Sequence, residues 1–165
     1  MKILAIDPGN RQSAFVVLDG DTLQPLEFDK IDNFSLLDKL ADMEPMHMAI
    51  EMVASYGMPV GAEVFETCVW IGRFWQATSW MVSKSYVFRR EEKLAICHSP
   101  RANDATIRQA LIDRFAPGVP NKGKGTKKEP GWFYGFRADI WQAYAVGVTW
   151  ADKLGQTRTN SDRKE

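Results

Sequence analysis

Four consecutive apolar residues, Ile3-Leu4-Ala5-Ile6, run straight into Asp7 and then into a sharp turn at Pro8-Gly9. A short run with no polar position suits a buried strand. The turn stops that strand and pushes the Asp7 carboxylate out at the carboxyl edge of a sheet, where open α/β folds place their ligands. A carboxylate beside a protein core costs free energy unless a cation meets it. Strand, acid and turn together predict an α/β sheet with a charged site at its rim.

The rest of the chain fills in that sheet. Residues 2–7, 12–18 and 24–29 read as three strands, with turn signals at Asn10-Arg11 and Asp19-Gly20-Asp21. Their connections are too short for crossovers, so they form an antiparallel meander. Residues 33–42 have helical apolar spacing at Phe34, Leu37, Leu40 and Ala41, with Asn33 or Ser35 as cap and Pro45 as stop. Residues 46–52 read as a fourth strand, which after a helix can lie parallel to the first. A long apolar-rich helix follows over 61–82, and a fifth strand falls at 85–88 or near 93–97. Asp104 opens a helix to about Phe115. Residues 116–133 are a loop rich in Gly, Pro and Lys, and a last helix runs from about Gly135 to Lys153. The expected architecture is α/β, a mixed sheet with helices on its faces. Residues 1–154 are expected to form one domain and 155–165 a disordered polar tail.

Composition narrows the class. A chain of 165 residues can bury a core without disulfides. Cys68 and Cys97 lie in apolar-rich segments and form no CxxC, which fits reduced, buried thiols in a cytosolic protein. No stretch reads as a signal peptide or a membrane span, so the expected location is the cytoplasm. The zero net charge hides an asymmetry: residues 1–52 carry ten acids and four bases, and residues 53–165 eleven acids and seventeen bases. An acidic first part and a basic second part are compatible with a carboxylate cluster and a polyanion partner, or with a merely uneven surface.

The acids are the candidate chemistry. If the first and fourth strands are parallel neighbours, Asp7 and Glu51 end them side by side, each after an apolar run. Two such carboxylates repel unless a cation lies between them. Oxygen donors, with only two histidines in the chain, suit Mg²⁺ or Mn²⁺ better than Zn²⁺. Asp139 lies one turn before Gln142 on a face that continues into an apolar stripe. Each acid alone could equally cap a helix or end a strand in solvent, and Asp139 also suits the first turn of a helix dipole.

The start Ile6-Asp7-Pro8-Gly9, the pair Ile50-Glu51 and the segment Ala138-Asp139-Ile140-Trp141-Gln142-Ala143-Tyr144-Ala145 resemble RuvC-type Holliday junction resolvases. Ser55-Tyr56-Gly57-Met58-Pro59-Val60-Gly61, Phe65-Glu66-Thr67 and Asn103-Asp104-Ala105-Thr106-Ile107-Arg108 are most similar to the phage-encoded branch. The resemblance covers roughly residues 2–150. It implies an RNase H-like fold, a five-stranded mixed sheet flanked by helices. It also implies metal-dependent cleavage of branched DNA for recombination, repair or phage genome processing, leaving 5′-phosphate ends. By matching position it makes Asp7, Glu51 and Asp139 the metal-binding catalytic acids, around two Mg²⁺ or Mn²⁺ ions, and it implies a homodimer, in the bacterial host cytoplasm if phage-encoded. No organic cofactor is implied. Bacterial members carry a fourth acid where this chain has Gln142, and an amide coordinates more weakly. Asp104 could substitute as a ligand, or cap the helix that starts there.

DNA binding calls for a basic, partly aromatic surface. Lys122, Lys124, Lys127 and Lys128 share one glycine-containing loop, either a phosphate-contacting surface or a mobile solvated one. Arg89, Arg90 and Lys93 make a second patch, diluted by Glu91 and Glu92. Arg101, just beyond the expected fifth strand, could face the scissile phosphate, and Tyr56 and Met58 could reach DNA near a crossover. Trp132, Phe133 and Tyr134 could stack at a junction or anchor the last helix. Phe65, Trp70, Phe74, Trp75 and Trp80 are expected in the core, on a helix buried on more than one side that hints at a dimer. His47 reads as structural, and His98 as a surface residue that could approach the site. Sugar-kinase or actin-like ATPases share an acid–x–Gly turn but repeat the fold twice, and this chain is too short. The alternatives are a catalytically weak or inactive DNA-binding module of the same fold, or a nuclease for RNA or broken-strand branches.

Overall fold

The computed structural model describes residues 1–162. Five strands form one sheet: β1 (Lys2–Asp7), β2 (Gln12–Asp19), β3 (Pro25–Asp32), β4 (His47–Met52) and β5 (Ser83–Phe88). Their order is β3-β2-β1-β4-β5. β1 and β2 pair antiparallel, as do β2 and β3, whereas β4 runs parallel to both β1 and β5. Five helices accompany them: α1 (Asn33–Ala41), α2 (Ala62–Ala77), α3 (Arg89–Cys97), α4 (Asp104–Phe115) and α5 (Ile140–Asp162).

Period-two alternation along β1 divides the core in two. Ile3 and Ala5 join a cluster with Val16, Leu18, Ile107, Leu111 and the α5 residues Tyr144 and Val148. Leu4 and Ile6 join the opposite cluster, with Leu36 and Leu40 of α1 and Ile71 and Phe74 of α2. The apolar run therefore reads as it does because the strand is covered on both faces. α5 lies close against the sheet at Gly147, where a Cβ would fall 2.4 Å from Leu18 Cδ1 and 3.0 Å from Ala5 Cβ. Tyr144 ties the same helix down by donating to Leu23 O and accepting from Trp132 Nε1, both at 3.0 Å.

Several local expectations are corrected. Asp32, not Asn33 or Ser35, caps α1, its Oδ1 accepting from Phe34 N at 2.9 Å. The fifth strand is Ser83–Phe88, and the alternative near 93–97 belongs to α3, a helix absent from the sequence reading. Its Arg-Arg-Glu-Glu-Lys-Leu start is rich in helix formers, and Glu91 reaches back to accept from Phe88 N at 2.7 Å. Asn103, not Asp104, caps α4, in a reciprocal pair with Thr106. α5 begins at Ile140 rather than Gly135 and its bounds run to Asp162. Gly155 lowers helix propensity by only about 1 kcal/mol, and no proline follows it. Residues 163–165 of the expected tail lie outside the described residues.

α2 departs most from expectation. Only Ile71 and Phe74 are buried on it, while Phe65 and Val69 are 63% and 61% exposed. Trp80, 40% exposed, lies beyond the helix end. Cys68 is accordingly exposed and Cys97 half-buried, not the buried thiols expected. No helix among the described residues is long and apolar enough to cross a membrane.

Candidate active site

Strand register brings the first two acids together. Ile6 of β1 is paired with Ile50 of β4 in parallel, so Asp7 and Glu51 follow side by side at the carboxyl edge. Alternation puts both on the sheet face of Ala5 and Ala49, the face that α5 covers. Asp139 stands directly before the first turn of α5, where its carbonyl accepts from Gln142 N and Ala143 N, both at 3.0 Å. It is therefore a helix-start acid, not a mid-helix one. The three sequence-predicted acids lie within electrostatic range of one another.

Their surroundings disfavour negative charge. Burial, then Glu51 and then Asp139 hold the Asp7 carboxyl well above the usual carboxylate range. Burial also raises Glu51, against the opposing pull of Arg89. A fourth acid adds to the strain: Glu92 on α3 is fully buried, and burial plus the nearby Glu51 push it up to about 9, again against Arg89. Glu92 Oε1 has no hydrogen-bond partner. Such a set of hard oxygen donors fits a divalent cation of the Mg²⁺ or Mn²⁺ kind. Among the described residues, no three histidine, cysteine or acid side chains converge as a finished metal cage. The protein's own cations hold the acids instead: Lys30 Nζ meets Asp139 Oδ2 at 2.5 Å.

Arg89 is the other such cation. Its guanidinium donates to Glu92 Oε2 at 2.8 Å and to Gln142 Oε1 at 2.5 Å, and it pairs with Asp104. Gln142 and Asp104, the weaker ligand candidates, are thus both engaged by an arginine. The sequence reading placed Arg89 in a DNA-facing patch and treated Glu92 as dilution of it. Neither Lys30 nor Glu92 was singled out: Asp139, the partner of Lys30, is distant in the chain, and Glu92 sits in a charged run with nothing local to mark it as buried near Glu51.

A buried polar network shapes the turn that sets Asp7. Asn33 Nδ2 donates to Gly9 O at 2.9 Å, Ser13 Oγ donates to Asn33 Oδ1 at 2.6 Å, and Gly9 N donates to Ser13 Oγ at 3.1 Å. Gly9 is required there, since a Cβ would fall 2.3 Å from Gln12 O. At the same turn Asn10 Nδ2 donates to Glu66 Oε2 of α2 at 3.2 Å. A helical cap was the only signal the sequence offered for Asn33.

The predicted DNA contacts divide between two surfaces. Tyr56, Arg89, Arg90, Lys93 and Pro100 line one pocket of about 160 Å³, which places Tyr56 with the second basic patch. Lys122, Lys127 and Lys128 are exposed on the 121–131 loop, and Lys124 is half-buried. That loop has defined backbone structure: Gly131 N donates to Lys124 O at 2.8 Å and Thr126 N to Glu129 O at 3.0 Å. Gly123 has a positive φ and so little room that a Cβ would fall 2.8 Å from Phe133 Cδ2. Phe133 is fully buried, Trp132 is bonded to Tyr144, and Tyr134 is 44% exposed, so two of the three aromatics anchor the last helix. Arg101 is exposed beyond α3 rather than beyond the fifth strand. His98 ends α3 in a left-handed conformation, and His47 Nδ1 lies 2.6 Å from Ser83 Oγ at the opposite edge of the sheet.

A mixed sheet in this order, with helices on both faces and acids ending its two central parallel strands, defines the RNase H-like class of fold. Within that class the chain has the fold of RuvC. It matches the Thermus thermophilus RuvC structure with a TM-score of 0.67 and 15% identity, covering 95% of this chain and 97% of that one. It matches T. thermophilus RuvC in complex with Holliday junction substrate with a TM-score of 0.68 and 13% identity, covering 94% and 96% of the two chains. No protein-family model matches the chain. No curated protein sequence matches it either.

Proposed function

We propose that this protein is a metal-dependent, structure-specific endodeoxyribonuclease that resolves Holliday junctions and other branched DNA. The observation that carries the reading is the pairing of Ile6 with Ile50, which sets Asp7 and Glu51 abreast on the face where α5 presents Asp139. A RuvC structure of the same fold is bound to a Holliday junction, which supports the same substrate class here. The proposed phage-encoded origin rests on the segments 55–61, 65–67 and 103–108 quoted above.

Asp7, Glu51 and Asp139 would hold the metal, with Gln142 and Asp104 as weaker candidates. A bound divalent ion would lower the pKa of a water and stabilise the leaving 3′ oxygen, giving 5′-phosphate products. The chain's own part is positional. Burial makes the acids demand a cation, the Gly9–Ser13–Asn33 network holds Asp7 at the sheet edge, and Lys30 keeps Asp139 near it. The pocket of Tyr56, Arg90 and Lys93 suits a nucleotide flanking the cut, and the exposed lysines of the 121–131 loop suit phosphate contacts farther along the duplex. Arg101 is a further exposed candidate. Paired nicks at a four-way junction call for two sites, and the open apolar face of α2 suits a second copy of the chain.

A second reading, a catalytically weak or inactive junction-binding module, is favoured by the engagement of Gln142 by Arg89. A nicking assay on a four-way junction with Mg²⁺ or Mn²⁺ separates the two. Wild type should cut, and Asp7→Asn should lose cleavage while keeping junction binding. Tight binding by wild type with no cleavage would establish the binding module instead.

A further inference from the structure

We propose that the Arg89 guanidinium stands in for a second cation at this site, so that each chain binds one divalent ion, a conclusion that rests on the nuclease reading above. Three elements converge on Arg89. Glu92 of α3 accepts from it at 2.8 Å, Gln142 of α5 accepts from it at 2.5 Å, and Asp104 of α4 pairs with it. The side chain is only 24% exposed, so the charge is held in place rather than swung into solvent. A guanidinium keeps its proton throughout the working range, so this positive charge is permanent.

The amide at position 142 completes the argument. A second divalent ion would need Gln142 Oε1, the donor where the resembled bacterial enzymes have an acid. That oxygen already points its lone pairs at Arg89. An incoming ion would also meet a fixed like charge, and the carboxylates nearest that charge, Glu92 and Asp104, are already paired with Arg89. Arg89 acts on Glu51 as a cation would, favouring its charged form. The site therefore fits one ion among Asp7, Glu51 and Asp139, with an organic cation beside it.

Counting bound ions tests this directly. The full chain is titrated with Mn²⁺, and free ion is followed by electron paramagnetic resonance alongside calorimetry. Wild type should saturate at one ion per chain. Gln142→Glu alone should stay at one, because the new carboxylate pairs with Arg89. Arg89→Gln combined with Gln142→Glu should saturate at two. Wild type saturating at two would overturn the proposal while leaving the nuclease reading intact. A folded double variant, judged by circular dichroism, that still holds one ion would also overturn it. Should the double variant fail to fold, the wild-type count alone decides. Wild type binding no ion would overturn the nuclease reading together with this one.

Discussion

Asp7, Glu51 and Glu92 are acids whose burial favours their protonated forms, and that has a consequence for pH. An acid with a folded-state pKa above its unfolded value stabilises the fold fully below the unfolded pKa, and the contribution is lost as pH rises through the folded pKa. Their ordinary values are 3.8 for Asp and 4.5 for Glu, and Glu92 is raised to about 9. Metal-free protein should therefore lose stability as pH rises from about 4 toward 9. Added Mg²⁺ should offset much of that loss near neutrality, because the proposed ion would bind only the folded site. Thermal melts in chelator and in Mg²⁺ across this range check both, and a metal-free melting temperature that climbs steadily to pH 9 would refute the burial argument. Asn33 supports the same site from below. Asn33→Ala leaves the Ser13 hydroxyl proton and Gly9 O without partners, and should cost roughly 1–3 kcal/mol in a urea titration. A loss under about 0.5 kcal/mol would mean that water replaces the network. Asp7 and Glu51 were legible in the sequence as acids following apolar runs, whereas Asp139 joined them through the family resemblance, because the expected helix began earlier, near Gly135. Lys30 and Glu92 were not legible, since a lysine on an edge strand and an acid in a charged run look solvated until the fold places them.

At the scale of elements, strands were read more reliably than helix ends. β1, β2 and β4 follow apolar runs bounded by turn residues and lie within a residue or two of their expected ends, whereas β3, with the mixed sequence Pro-Leu-Glu-Phe-Asp-Lys-Ile-Asp, runs three residues past the expected end at 29. α3 was missed because Val87 and Phe88 blur into Arg89-Arg90, with no Ser, Thr, Asp or Asn cap to mark the change. α2 was misjudged because apolar residues were equated with burial, whereas its outer face carries Phe65 and Val69 exposed among the described residues. The lysines of the expected 116–133 loop sit on backbone that its own hydrogen bonds and the close approaches at Gly123 and Gly125 shape. Neutralising Lys122, Lys124, Lys127 and Lys128 should lower the slope of log affinity against log salt by about 0.9 for each lysine that meets a phosphate of duplex DNA. An unchanged slope in junction-binding titrations would remove this loop from the DNA surface.

For the whole molecule, the open face of α2 is the feature a single copy leaves unexplained. Phe34, Phe65 and Val69 together expose apolar surface that a monomer rarely keeps uncovered. Wild type should sediment as a dimer at micromolar concentration, and Phe65→Asp with Val69→Asp should sediment as a folded monomer. A monomeric wild type under those conditions would count against the second copy. The Asn10–Glu66 bond makes α2 a neighbour of the Asp7 turn, so the same variants report whether cleavage depends on that face.

Local pattern alone determined the layered α/β class, the central buried strand and the acids at the carboxyl ends of the first and fourth strands, because burial period and turn chemistry act over a few residues. Tertiary structure decided what surrounds those acids. Which cation meets Asp139, which acid is buried beneath Glu51 and what holds Gln142 all depend on side chains from four or more elements meeting at one edge. Such contacts have no local signature, because their free energy comes from groups brought together only when the sheet and α5 close over each other.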